Sequence, residues 1–88
     1  MRFEEEDIIK FYELLARYDE TSPNIGIVGS KKKFDTYVKR ALKNIKYTAV
    51  YKNEAGTKYT VLLGDVEYTF IHIRDTIDLK GYYFRKFV

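Results

Sequence analysis

Lys31, Lys32, Lys33, Lys39, Arg40, Lys43, Lys46 and Lys52 fall within residues 31–52 together with one acid, Asp35, so this quarter of the chain carries a net +7. Ammonium and guanidinium groups at that density do one kind of chemistry without any cofactor. They displace counterions from a polyanion and hold its phosphates or carboxylates. Residues 1–30 run the other way, with seven acids against Arg2, Lys10 and Arg17 for −4, and residues 53–88 balance to zero. The overall +3 therefore conceals a dipolar chain, and the local field is what governs association.

Covalent chemistry has little to work with. Nucleophilic catalysis needs a nucleophile beside a base, and the chain offers one His, His72, and two serines, Ser22 and Ser30, which read as a helix stop and a helix cap. His72 lies in an apolar strand-like run, where a lone His is expected to be a hydrogen-bonded or half-exposed strand residue. Asp65 belongs to a turn, Asp75 and Asp78 read as loop acids, and Gly26 to Lys31 lacks the spacing of a phosphate loop. No catalytic residue, metal ligand or cofactor is expected, and the chain reads as a non-enzyme.

At 88 residues, with 45% hydrophobic and 17% aromatic residues, the chain is expected to form one domain over residues 1–88, burying roughly 60–65% of its unfolded surface. The lack of Cys removes disulfides and thiolate sites and suits a reducing compartment. No apolar run approaches the roughly 18 residues of a membrane span. A soluble, cytoplasmic protein with no membrane association is the expectation.

The elements that must position the cations follow from periodicity. Ile8, Phe11, Tyr12, Leu15 and Tyr18 share one stripe of a helix over residues 3–19, with Glu4 to Asp7 at the favourable positive end of its dipole and residues 21–24 stopping it. Residues 24–30, apolar between their glycines, read as a short buried strand or as a tucked loop. Ser30 is the N-cap of a second helix, whose stripe of Phe34, Val38, Ala41, Leu42 and Ile45 faces the core. Lys32, Asp35, Lys39 and Lys43 share its opposite face, with Arg40 and Lys33 beside them.

After Ile45 the period falls to 2, giving strands over residues 46–52, 57–63, 66–74 and 81–87. Gly64-Asp65 makes a two-residue hairpin turn and residues 53–56 a four-residue loop. Short turns join antiparallel neighbours. The expected fold is therefore α+β, two helices packed on one face of a four-stranded antiparallel meander sheet.

Two stretches carry resemblances. Gly26-Ile27-Val28-Gly29, followed by Lys31 to Lys33, resembles the GxxG loop of KH domains, which implies close approach of this backbone to nucleotide phosphates. It departs from that family in its apolar Ile27 and Val28. Lys80-Gly81-Tyr82-Tyr83-Phe84-Arg85-Lys86-Phe87 resembles the RNP1 stretch of RRM domains and departs from it at Tyr83 and Arg85. That resemblance implies that Tyr82 and Phe84 stack on bases beside Lys80 and Lys86. The competing assignment makes the same rings the last layer of the core.

The leading functional expectation is an accessory protein that binds nucleic acid, RNA or single-stranded DNA in preference to duplex. Its phosphate contacts would come from Lys31, Lys32, Lys33, Lys39, Arg40, Lys43 and Lys46. The alternative is an inhibitor or adaptor that binds an acidic host protein through charged faces and a sheet edge. In size, lack of Cys and Trp, and richness in Lys, Tyr and Ile, the chain resembles small phage- or virus-encoded proteins that disable host enzymes. A third arrangement yields no function: the acidic and basic helices lie side by side and neutralise one another.

Overall fold

A computed structural model describes residues 5–88; the expected helix start at Phe3 and the first-turn Glu4 lie outside them. In chain order the elements are α1 (Glu5–Leu15), β1 (Arg17–Tyr18), β2 (Asn24–Val28), α2 (Lys31–Lys43), β3 (Ala49–Lys52), β4 (Lys58–Leu63), β5 (Val66–Ile73), a 3₁₀ turn (Thr76–Leu79), β6 (Tyr83–Phe84) and β7 (Lys86–Phe87). The class is α+β: two helices, a mixed five-stranded sheet in the order β3-β4-β5-β2-β7, and a small parallel pair of β1 with β6.

The meander survives for three strands. β3, β4 and β5 are antiparallel neighbours, and Leu63 pairs with Val66 across a turn in which Gly64 takes φ +65, the left-handed conformation that a two-residue hairpin needs at its first central position. The fourth strand is not beside them. Residues 81–87 break into β6, which pairs in parallel with β1, and β7, which pairs in parallel with β2. The strand that adjoins β5 is instead β2, again parallel. The segment left open between strand and loop thus becomes an interior strand of the sheet, as suits a run apolar on both faces.

Side-chain alternation along β2 settles where the helices go. Ile25 and Ile27 pack with Phe34 and Val38 of α2, and with Val61 and Phe70. Val28 packs with Tyr12 of α1, and with Ile71, Ile73, Phe84 and Phe87. Successive residues of a strand point to opposite faces, so α1 and α2 lie on opposite faces of the sheet, which corrects the expected one-faced packing. The correction has an electrostatic consequence. The two helices do not lie side by side but on opposite faces of the sheet, so the side-by-side arrangement expected to neutralise them is not the one found.

α1 ends four residues early. The Ala16 N–H still bonds to the Tyr12 carbonyl at 2.9 Å, whereas the Asp19 N–H reaches the Phe84 carbonyl at 3.1 Å, because the chain has turned to pair with β6. The expected stripe is also displaced. Ile9, Tyr12 and Ala16 face the core, while Ile8, Phe11 and Leu15 are largely exposed. Tyr12 donates its hydroxyl to the Arg74 carbonyl at 3.1 Å. Burial, then the charges of Asp75 and Asp78, hold its phenol above the ordinary tyrosine value.

Gly26 explains how β7 reaches β2. A Cβ at this position would lie 2.6 Å from the Phe87 ring and 3.3 Å from Ile73, so only a bare backbone admits the ring. A Gly26→Ala variant should lose about 1–3 kcal/mol of stability in denaturant unfolding; an unchanged midpoint would mean that Phe87 does not rest there. Tyr12 gives a pH signature. A phenol with a raised folded pKa contributes stability that is intact below its unfolded value, about pH 10, and is lost as pH rises through the folded value. Tyr12→Phe should therefore lose less stability than the parent above about pH 10, and identical alkaline profiles would contradict the buried phenol.

Candidate nucleic-acid interface

α2 is fixed first by its cap and its apolar stripe. The Ser30 side chain accepts the Lys33 N–H at 3.1 Å, as expected of the N-cap. Phe34 is fully buried and stacks with His72 at 5.2 Å between ring centroids, with Val38 buried one turn on. Once that stripe is held, the outer face is dictated. Lys32, Lys39 and Lys43 are 7 and 4 residues apart, so at about 100° per residue they share a strip about 40° wide, extending about 16 Å along the axis. Thr36 and Arg40 lie along one side of it and Asp35 along the other.

The seven predicted phosphate ligands divide into two groups. Lys32, Lys39, Arg40, Lys43 and Lys46 are exposed, and among the described residues none has a carboxylate within salt-bridge distance. The other two are engaged. Lys31 is paired with Asp35 one turn along and lies over the Phe34 ring. Lys33 turns inward, donating from Nζ to the Val28 carbonyl at 2.8 Å and the Val88 carbonyl at 3.3 Å. Lys46 was expected to open a strand; it precedes β3, in the connection from α2.

Three lysines in the first turn of a helix with no acid among them oppose the macrodipole, at a cost of about 0.3–1 kcal/mol each where exposed. Lys31 and Lys33 offset that cost with partners. Lys32 has no comparable ion pair, and with the helix N-terminus it raises the positive potential at this end of the strip.

The stacking pair is corrected in part. Phe84 is fully buried, its ring 4.8 Å from that of Phe87, so no base can reach it. Tyr82 is half-buried against the same cluster, with Lys58 Nζ 5.2 Å from its ring centroid. Arg85 is also spoken for, donating from Nε to the Ser22 carbonyl at 3.0 Å. The GxxG reading fails for a related reason. Gly26 lies inside β2, and Ile27 and Val28 are buried in the sheet centre, so this backbone is not a loop open to nucleotides.

Sequence reading did not single out two exposed aromatics near the α2 cations. Tyr47 is about half exposed and follows Lys46 directly, four residues past Lys43. Tyr51, on edge strand β3, is more exposed still. The signal was present as an aromatic next to a lysine, but the strand assigned to 46–52 absorbed it.

His72 is a buried, hydrogen-bonded residue of β5, the first of the two arrangements expected of it. Its Nε2 lies 2.7 Å from the Gly29 carbonyl, which can only accept, so Nε2 carries the proton. Its Nδ1 has no hydrogen-bond partner. Among the described residues, no three His, Cys, Asp or Glu side chains are grouped to hold a metal ion, and no helix is long and apolar enough to cross a membrane. Comparison of the chain with protein-family models, characterised proteins and solved structures finds no match.

Proposed function

We propose that this protein is a non-enzymatic nucleic-acid-binding accessory protein that neutralises backbone phosphates with the outer face of α2. The carrying observation is the Lys32–Lys39–Lys43 strip: exposed, aligned along one helix and separated by the sheet from the acids of α1. Packing gives no reason for it, since the core needs only the opposite face of this helix. Five cations with no ion pair among the described residues favour a sequence-independent, salt-sensitive grip. Single-stranded nucleic acid, RNA or DNA, is the preferred class, because α2 follows a strand and has no partner helix in a helix-turn-helix arrangement, and because Tyr47 offers a ring for an unstacked base.

A second reading, capture of a protein partner, has one observation in its favour. Phe11 is 54% exposed and Leu14 84% exposed on α1, beside Ile8 and Leu15, an apolar strip of the kind that binding surfaces display. The polyanion reading ranks first because it accounts for the charge clustering, which an apolar strip does not.

For four to five contacts on a single strand the slope of log K against log salt is about −3 to −3.5, so binding should weaken by about 50- to 150-fold between about 50 and 200 mM salt. A triple variant Lys32→Glu, Lys39→Glu, Lys43→Glu should flatten that slope by at least about two. Fluorescence anisotropy with a labelled oligonucleotide reads both. Salt-insensitive binding, or none to RNA or DNA, would dismiss the reading and leave the protein partner in front. Tyr47→Ala should weaken binding to a single strand by about 1–3 kcal/mol while leaving the salt slope unchanged; equal affinity would remove the ring from the interface.

A further inference from the structure

Residues 53–88 hold as many acids as bases, so nothing in their composition marks a site. Folding separates the charges. Lys58 at the start of β4, Arg74 just past β5 and Lys80 just past the 3₁₀ turn line one recess of about 250 Å³, together with His72, Asp78 and Tyr82. It opens beside the C-terminal end of β5.

One carboxylate, that of Asp78, lies in the wall against the three cations, and backbone N–H groups hold it in place. Asp78 Oδ2 accepts the N–H groups of Arg74 at 2.8 Å and Asp75 at 3.0 Å, and Asp75 Oδ1 accepts that of Thr76 at 2.6 Å, which together cap the 3₁₀ turn. Among the described residues, Lys58, Arg74 and Lys80 have no carboxylate within salt-bridge distance. The Tyr82 hydroxyl lies 3.5 Å from Lys58 Nζ, and His72 backs the recess with its ring turned to the α2 face, against Phe34.

We propose that this recess binds a phosphate group. An oxyanion there would meet two ammonium groups and a guanidinium fork arriving from three separate segments, with a phenol to donate a further hydrogen bond. The volume suits a phosphoryl group and the first atoms of its substituent. The site is separate from the α2 strip, and its ligand is either the terminal phosphate of a nucleic-acid strand or a free phosphorylated small molecule.

The test is an amide chemical-shift titration with three probes: inorganic phosphate, an oligonucleotide bearing a 5′-phosphate, and the same oligonucleotide with a 5′-hydroxyl. Inorganic phosphate should give saturable shifts at Lys58, His72, Arg74 and Lys80. The double variant Lys58→Gln, Arg74→Gln should weaken that binding at least about tenfold, and Lys80→Gln, on an exposed residue, should weaken it alone. Tighter binding of the 5′-phosphorylated strand assigns the recess to strand ends; equal binding of the two strands, with phosphate still bound, assigns it to a small molecule. No saturable shift with inorganic phosphate, or shifts that survive both substitutions, would overturn the proposal. The variant with Lys32, Lys39 and Lys43 reversed to Glu should keep its phosphate binding, so failure of the α2 interface and failure of the recess are read separately.

Discussion

Both edges and both faces of β2 are occupied, and the rest of the molecule is arranged around that constraint. Parallel ladders run to β5 on one side and β7 on the other, and Ile27 is completely buried. A strand enclosed in this way needs an apolar cover above and below. With a single helix available for each face, α1 and α2 must take opposite sides. The charge separation that gives α2 an unopposed positive face therefore follows from the packing of a five-residue strand, not from any surface interaction.

The same constraint fixes the chemistry at the end of the sheet. α2 starts three residues after β2 ends, so its first turn and the loop ends at β4 and β5 gather near one rim. Lys31 and Lys33 are consumed there by Asp35 and by carbonyl groups, which places the protein's own hydrogen bonds in competition with any ligand for those two positions. The cations without an ion pair among the described residues lie further along the helix and, separately, around the Lys58–Arg74–Lys80 recess. A surface ion pair such as Lys31–Asp35 contributes about 0–1 kcal/mol, so the pairing removes Lys31 from the interface without adding much to stability.

Local patterns were legible in the sequence, and long-range pairings were not. The Ser30 cap, the buried stripe of α2 and the Gly64–Asp65 turn depend on neighbours a few residues away, and each is found where periodicity and turn chemistry put it. The position of residues 81–87 depends on a parallel pairing with residues about sixty places earlier, which leaves no short-turn signal. The stripe of α1 was misplaced because both candidate faces are apolar: Ile9, Tyr12 and Ala16 on one, Ile8, Phe11 and Leu15 on the other. Periodicity supplies a direction only when the second face is polar. For the candidate site, the α2 cations were visible as a charge cluster, whereas the recess is assembled from three segments of a neutral stretch and exists only after folding.

The proposed role of α2 rests on its strip of Lys32, Lys39 and Lys43 meeting phosphate. Its most direct test is the mapping of line broadening and shifts onto the chain as an unphosphorylated single-stranded oligonucleotide is added at low salt. The largest changes should fall on the amides of Lys32, Thr36, Lys39, Arg40, Lys43 and Tyr47, with α1 unaffected. Changes centred on Ile8, Phe11 and Leu15, or spread evenly over the surface, would contradict it.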